Sequence, residues 1–272
     1  MSKIWDIVIL GCGRLGSNLK SRLEAEKFNV LGVRRTEVLD DSSFMSLDLD
    51  QEDAWEHLAT LKLNPRTVLV GIVTPDERTE AAYRKRYLGV AQGMNRLASV
   101  TGRQHRLVWV SSTAVFGNSQ SGRLDEMAEP MPQNWRGNIL SEAEQVIADS
   151  FVQHTILRLT GLYTRSTISW LNDPQMRQRV LPDSVSNRIH RLDVNRWLEY
   201  VVISHCKNIS IPTLIHGVDQ GSASYSSIFA RLDGAVACLE NAKSGRIITT
   251  QYRKQMPPLR YPTLDSVIAE SP

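Results

Sequence analysis

The sequence has little cysteine and no cysteine pairing pattern. Only Cys12, Cys206 and Cys238 occur in 272 residues, and none belongs to a CxxC pair. An odd and sparse set of this kind is neither a disulfide framework nor a zinc site. The six histidines are scattered without HxH or HxxxH spacing, so we expect no metal site.

Long hydrophobic runs and a strong charge of one sign are missing as well. No stretch approaches the roughly 18 apolar residues of a membrane span, and the first residues lack a cleavable signal pattern. Lys plus Arg number 32 and Asp plus Glu 29, so the formal net charge is only +3. Averaged over the chain, that charge is too small to indicate a nucleic-acid-binding surface. We therefore expect a reduced, cytoplasmic protein with neither a membrane nor a nucleic-acid partner.

Short apolar runs alternate with amphipathic segments in the first half of the chain. The apolar runs predict strands at residues 4–10, 29–33, 44–49, 66–73 and 106–110. The amphipathic segments predict helices at residues 14–27, 52–61 and 76–100. Alternating strands and helices indicate βαβ units, and continuous apolar strands fit a sheet covered on both faces. The predicted fold class is α/β with a doubly wound parallel sheet.

The second half is less regular. It predicts a polar loop at 112–135, strands at 154–159 and 213–216, and helices at 136–151, 195–204 and 224–232. The tail from Gly245 onward is predicted to be short and extended. The later elements are expected to form a small lobe beside the sheet.

The strongest local motif is the glycine loop GCGRLG, with Gly11, Gly13 and Gly16 between the first strand and the first helix. In this position the first glycine permits a tight turn, the second lets a pyrophosphate approach the backbone, and the third allows close helix–strand packing. The helix N-terminus adds free N–H groups and a partial positive charge. The motif predicts a dinucleotide site, with Leu15 beside it; a tight turn without ligand is the alternative.

The end of the second strand discriminates between NAD and NADP. An NAD site has an acidic residue there for the ribose 2′-OH, whereas this chain has Arg34 and Arg35. Two guanidiniums suit a 2′-phosphate by charge and by geometry. We therefore predict NADP, with NAD as the alternative. Arg14 is expected over the adenine or near the same phosphate, and Asp48 and Leu49 against the adenine.

Four further segments carry a family resemblance. They are VSSTAVFG at 110–117, ILRLTGLY at 156–163, NRIHRLDV at 187–194 and the tail GRIITTQYRKQMPPLRYP. Together with GCGRLG they resemble the short-chain dehydrogenase/reductase superfamily, in its extended and atypical NAD-dependent epimerase/dehydratase branch. The tail, and the SEAE at 141–144 in the helix predicted at 136–151, resemble the YeeZ-like group of that branch.

The resemblance implies a Rossmann fold, with a dinucleotide-binding domain at 1–165 and a small substrate lobe at 166–272 whose elements return to the sheet. It implies a small-molecule substrate, and a homodimer is an option. Ser112 matches the family's catalytic hydroxyl, with Thr113 as the fallback; the alternative is that these hydroxyls cap backbone groups. Further positions are expected along the cofactor, namely Thr74, Pro75, Leu159, Thr160 and Gly161.

One departure limits the functional prediction. The family uses a Tyr as proton donor and a Lys four residues later, which lowers the pKa of that Tyr. Alignment on the helix predicted at 136–151, which contains ILSEAE, puts Arg136 and Leu140 at these positions. No Tyr or Lys occurs from residue 118 to 150. Arg stays protonated and cannot shuttle a proton, although Arg136 could still polarise a carbonyl. Tyr163 is a more remote candidate for the missing proton donor.

Two functions therefore remain open. One is an NAD(P)-dependent oxidoreductase or epimerase-like enzyme with a non-standard acid, acting on a small carbonyl or sugar-type substrate. The other is a catalytically silent NADP-binding sensor or scaffold. An open cavity beside Ser112 favours the enzyme, whereas a cavity filled by side chains of the 118–135 loop favours the silent protein. The run Arg84-Lys85-Arg86 is interpreted as a solvated helix face.

Overall fold

A computed structural model of the chain describes residues 3–39, 41–101, 105–179, 183–236, 238–242 and 244–270. Its strands are β1 Trp5–Leu10, β2 Val30–Arg34, β3 Phe44–Ser46, β4 Leu63–Gly71, β5 Arg106–Ser112, β6 Gly122–Leu124, β7 His154–Leu159, β8 Gly161–Tyr163, β9 Arg188–His190, β10 Leu214–Gly217 and β11 Arg246–Ile248. Its α-helices are α1 Arg14–Ala25, α2 Asp53–Ala59, α3 Glu80–Tyr83, α4 Gly89–Thr101, α5 Trp135–Ser150, α6 Arg165–Trp170, α7 Pro174–Arg179, α8 Arg191–Cys206, α9 Tyr225–Leu232 and α10 Leu264–Ala269.

Within these residues, seven strands form a central sheet in the order β3–β2–β1–β4–β5–β7–β10. Every neighbouring pair is parallel. The chain order reverses between β1 and β4, and a ligand cleft is expected outside the carboxyl ends of the strands at such a point. This architecture confirms the predicted doubly wound, Rossmann-like sheet.

The sheet is buried on both faces because each strand alternates its side chains between two cores. In β1, Val8 and Leu10 belong to a core with residues of α2, α4 and α5. Ile7 and Ile9 face the opposite core, which includes residues of α1 and α8. Both cores consist mainly of side chains that are less than a tenth exposed. The continuous apolar strands of the sequence are explained by this double cover.

The long predicted helix at 76–100 differs from the observed one. The observed helix begins at Glu80, because the Thr79 hydroxyl accepts the N–H of Ala82 and so caps the helix there. Between α3 and α4 lies a π-helical turn, Arg84–Leu88, in which the N–H of Gly89 donates to the carbonyl of Arg84. This segment is called the π turn below. π turns of this kind are frequent at functional sites.

Several boundaries in the second half were also mispredicted. The loop at 112–135 contains β6, which pairs in parallel with β11 of the tail. The tail is not wholly extended, since α10 begins after a Thr263 cap. α8 starts at Arg191, earlier than predicted, because the His190 side chain accepts the N–H of Leu192. β8 pairs with β9, and a separate small core forms beside them around Tyr163, Leu171, Ile228 and Leu264.

In the part of the chain that the structure describes, no helix is both long and apolar enough to cross a membrane.

Candidate functional site

The glycine loop joins β1 to α1, and each of its glycines has a separate physical reason. Gly11 has φ +85°, and a Cβ there would lie 2.2 Å from the carbonyl oxygen of Ile72. A Cβ on Gly16 would lie 3.2 Å from the Gly11 carbonyl oxygen and from Ile9, so Gly16 allows close packing of helix on strand. A Cβ on Gly13 would meet nothing within 4 Å. Gly13 therefore leaves open space in front of the loop.

The N-terminus of α1 faces this open space. Gly13 is its N-cap, no side chain caps its free N–H groups, and no acidic residue lies in its first turn. Free N–H groups and the helix dipole together favour an anion. Cys12 lies fully buried beneath the loop, with its Sγ 3.9 Å from the hydroxyl of Ser17, and burial raises its pKa. The loop thus offers backbone donors without a competing side-chain charge.

A cleft with two lobes runs across the carboxyl ends of the strands. The lobes share five residues at their junction, namely Gly11, Gly13, Ile72, Val73 and Thr74. The smaller lobe has a volume of about 220 Å³ and lies beside β2. The larger lobe has a volume of about 610 Å³ and lies beside β5 and β7. This shape suits an elongated ligand whose phosphates sit at the junction and whose two ends occupy the lobes.

Three arginines line the smaller lobe: Arg34, Arg35 and Arg86. Arg35 is about half exposed and makes two hydrogen bonds to the carboxylate of Asp76, of 2.5 and 2.6 Å. This contact lowers the pKa of Asp76. Leu49 also lines the lobe, as predicted for an adenine contact. Asp48 does not; it lies beyond the end of β3, and its carboxylate accepts the N–H of Asp50.

Arg86 corrects the interpretation of the Arg84-Lys85-Arg86 run as a solvated face. Its side chain is only 8 % exposed, and its guanidinium lies 3.1 Å from the Asp50 carboxylate and 3.5 Å from that of Asp76. Arg84 and Lys85 remain about half exposed. Arg86 lies at helical spacing from the buried Val90, Met94 and Leu97, whereas Arg84 and Lys85 do not share that face. This spacing is the signal in the sequence that could have placed Arg86 inward.

Hydroxyl groups from β5 and its neighbours line the larger lobe. Ser111, Ser112, Leu159 and Thr160 are among its lining residues, together with Arg14 and Leu15 from the loop. The Ser112 hydroxyl accepts the N–H of Ala114, so it also caps a backbone group. Thr113 is turned toward the Leu159 carbonyl at 3.4 Å and is not a lining residue. Pro75 and Gly161 are not lining residues of either lobe.

Arg14 and the two strand-end arginines lie in different lobes. Arg14 is exposed and lines the larger lobe, whereas Arg34 and Arg35 line the smaller one. The third arginine beside Arg34 and Arg35 is Arg86, which the sequence did not identify.

Comparison with known proteins agrees with this geometry. A family model described as the RmlD substrate binding domain matches residues 5–183, which is more than half of the chain. The chain belongs to this family. No curated protein sequence matches the chain significantly.

Solved structures share the fold of this RmlD-family chain over nearly its whole length. A putative NAD-dependent epimerase/dehydratase from Methylobacillus flagellatus has 22 % identity, covers 98 % of this chain and 97 % of its own, and superposes with a TM-score of 0.75. MoeE5 in complex with UDP-glucose and NAD has 17 % identity, coverages of 97 % and 96 %, and a TM-score of 0.71. A dTDP-4-dehydrorhamnose reductase from Bacillus anthracis in complex with NADP has 16 % identity, coverages of 96 % and 89 %, and a TM-score of 0.62.

The two positions expected for the family's Tyr and Lys are occupied differently in this RmlD-family chain. Arg136 is exposed, its guanidinium stacks over the ring of Trp135 at 4.6 Å, and it does not line either lobe. Leu140 is 2 % exposed and packs in an apolar cluster with Val115 and Phe116. The predicted role of Arg136 on a substrate carbonyl therefore has no support from its position.

Tyr163, the other candidate for a proton donor, also lies outside the cleft. Its ring is 1 % exposed and lies edge-on to His190, with centroids 5.1 Å apart. Burial raises its pKa, and it does not line the larger lobe. The sequence analysis missed a different tyrosine, Tyr87 of the π turn, which lines that lobe together with Ser111 and Ser112 of β5.

A buried ionic cluster lies next to the larger lobe. The Ser111 hydroxyl donates to Glu144 of α5 at 2.5 Å, and Arg158 of β7 donates to the same carboxylate at 2.7 to 3.1 Å. Both charged side chains are 7 % exposed. Because a buried charge must be paired, this cluster fixes α5 against β5 and β7 and so sets one wall of the lobe.

Proposed function

We propose that the chain is an NADP-dependent oxidoreductase or epimerase-like enzyme that acts on a small carbonyl or sugar-type substrate. The observation that carries the proposal is the open cleft. One end offers arginines for a 2′-phosphate, the junction offers the bare α1 N-terminus, and the other end is an open cavity beside Ser112. No residue of the 118–135 loop lines either lobe among the residues described.

The residues present fit such a cofactor at three points. The space before Gly13 would receive the pyrophosphate, Arg34 and Arg35 the 2′-phosphate, and Leu49 the adenine. NADPH, when bound, supplies a hydride. The protein's own contribution is to hold the substrate oxygen, and Ser112 is the proposed hydrogen-bond donor for it. MoeE5 carries UDP-glucose, so a sugar nucleotide is the substrate class that we propose to test first.

Three finer assignments belong to the same proposal. Membership of the YeeZ-like group rests on the tail and the SEAE of α5. The division into a cofactor domain at 1–165 and a substrate lobe at 166–272 stays a prediction, supported by the separate small core around Tyr163. A homodimer also stays a prediction.

The second candidate, a silent NADP-binding protein, draws on a specific observation. Leu140, at the position aligned with the family's lysine, is a buried apolar side chain. Arg136, at the position aligned with its tyrosine, lines neither lobe of the cleft. NADPH binding without any turnover would favour this candidate. Oxidation of UDP-glucose with NADP⁺ and reduction of dTDP-4-dehydrorhamnose with NADPH are followed by absorbance of the reduced cofactor. Epimerisation of UDP-glucose is followed by chromatography of the sugar nucleotide, because it leaves the cofactor unchanged.

The cofactor assignment is tested by fluorescence titration of NADPH and NADH against wild type and Arg34→Asp. We expect NADPH to bind more tightly than NADH. The substitution should weaken NADPH by at least about tenfold and change NADH by less than about threefold. Arg96→Asp is the matched control, because Arg96 is exposed on α4 and outside the cleft. Unchanged NADPH affinity in Arg34→Asp would overturn the NADP preference.

A further inference from the structure

Reduction of a substrate carbonyl in the larger lobe needs a proton donor, and α5 contains no tyrosine that could serve. Among the lobe's described lining residues, the titratable side chains are Arg14, Tyr87 and Arg191. Arginine stays protonated and cannot release a proton near neutral pH. The serine and threonine hydroxyls that line the lobe can orient an oxygen, but they are far weaker acids than a phenol. Tyr87 is therefore the one group of this set that can give up a proton.

The segment that carries Tyr87 packs against α5, the helix on which the family's tyrosine is expected. The π turn packs against α5. The Tyr83 ring lies 5.4 Å from the Tyr87 ring and, edge-on, 5.1 Å from that of Trp135, the residue just before Arg136. Aromatic pairs at these distances have a preferred geometry. The Tyr87 ring also packs against the apolar cluster that contains Leu140.

We propose that Tyr87 is the catalytic proton donor of this chain, in place of the tyrosine that α5 lacks. The proposal rests on the function proposed above. In the reduction direction a hydride adds to the carbonyl carbon of the substrate, and its oxygen takes the proton of Tyr87. The phenolic O–H bond breaks and the alcohol O–H bond forms. The resulting tyrosinate regains a proton from water through the open lobe.

The surroundings of Tyr87 suit donation rather than abstraction. Burial raises its pKa to about 12, with a smaller contribution from Tyr83. The hydroxyl is therefore protonated at neutral pH, and an alkoxide is a strong enough base to remove the proton. No lysine lines the lobe among the described residues, and neither of its two arginines, Arg14 and Arg191, contributes to the pKa of Tyr87. At neutral pH we therefore expect Tyr87 to enter the reaction as the acid of carbonyl reduction.

The deciding test is a titration of tyrosine that needs no turnover. Protein labelled with ¹³C at tyrosine Cζ is titrated by NMR between pH 7 and pH 11, with and without NADP⁺. With a pKa of about 12, Tyr87 in the free protein should keep a phenol chemical shift almost to pH 11. Because the oxidised nicotinamide ring is cationic, its binding beside Tyr87 should lower that pKa by about 1 unit or more, so that one resonance moves to a midpoint within the titrated range. That resonance should be missing in Tyr87→Phe and present in Tyr83→Phe, the matched control.

The outcomes separate the two proposals. A midpoint that moves with NADP⁺ and disappears only in Tyr87→Phe supports Tyr87. Bound NADP⁺ without such a resonance overturns the role of Tyr87 and leaves the cofactor assignment standing. No binding of NADP⁺ to wild type overturns both. For a ketone that wild type reduces, Tyr87→Phe should lower kcat about 10²- to 10⁴-fold while NADPH affinity stays within about twofold, and an unchanged kcat again overturns the proposal.

Discussion

At the scale of single residues, the glycine loop separates folding from ligand binding. Gly13 has open space where a Cβ would stand, so Gly13→Ala should cost less than about 1 kcal/mol of stability. The same Cβ would occupy the space proposed for the pyrophosphate, and NADPH affinity should fall at least about tenfold. Thermal unfolding and fluorescence titration measure the two effects. Unchanged NADPH affinity would mean that the loop is only a turn.

Gly11→Ala provides the contrast. Gly11 has φ +85°, and its added Cβ would strike the Ile72 carbonyl. We expect this variant to lose stability by more than about 1 kcal/mol, in addition to any loss of NADPH binding. A stable Gly11→Ala protein would contradict the steric account of the loop.

Individual site residues were predictable only where a local motif marks them. The glycine loop, Arg34, Ser112 and Thr160 are set by spacing within a few residues of a strand end. Arg86 and Tyr87 were missed because the charge run was interpreted without the apolar residues that follow it at helical spacing, Val90, Met94 and Leu97. For Tyr87, a second hint was a tyrosine four residues earlier, Tyr83.

At the scale of elements, α5 has become a supporting helix. Leu140 is buried in an apolar cluster, and Glu144, one turn further, forms the buried pair with Arg158. The combined change Arg136→Tyr and Leu140→Lys would restore the family's dyad in sequence. We expect it to lower the free energy of unfolding by about 3–5 kcal/mol and to leave turnover no higher. The lysine would be buried in an apolar cluster, and the nearby Glu144 is already paired with Arg158.

Chemical denaturation and steady-state rates test this expectation. The control is Leu140→Met, which conserves volume and should cost less than about 1.5 kcal/mol. A dyad variant that is as stable as wild type and turns over faster would mean that α5 still carries the chemistry.

Elements were predictable where hydrophobic periodicity is strong and local. β1, β4, β5 and β7 were predicted to within a few residues. β6 and β11 were not, because each has only three residues and the two pair across more than 120 positions of the chain. Short strands of this kind are defined by their partner rather than by their own sequence.

At the scale of the whole molecule, one buried carboxyl affects the response of stability to pH. Asp219 follows β10, is 6 % exposed, and accepts the N–H of Gly221. Burial raises its pKa to about 8, well above the unfolded value of about 4. Between these values the folded state binds the extra proton, so this group's contribution to stability decreases as pH rises from about 4 to about 8.

Asp219→Asn removes that titration. The free energy of unfolding of this variant relative to wild type should rise steadily between pH 5 and pH 8, as measured by urea denaturation. Asp173→Asn, at an exposed position, is the control and should show no such slope. A difference between Asp219→Asn and wild type that is independent of pH would contradict the raised pKa.

The architecture as a whole was the most predictable level. The doubly wound sheet follows from alternating apolar and amphipathic segments, whereas the local charge of the cleft could not be deduced from a net charge of +3. Asp50 and Asp76 lie beside Arg86 and Arg35, so the total charge conceals a cluster of cations.

The π turn also bears on how the family diverges. A single-residue insertion is enough to convert one α-helical turn into a π turn, and each residue of an α-helix rotates the chain by about 100°. A relative that lacks one residue between Thr79 and Gly93 would turn different side chains toward the same cleft, even with an identical glycine loop.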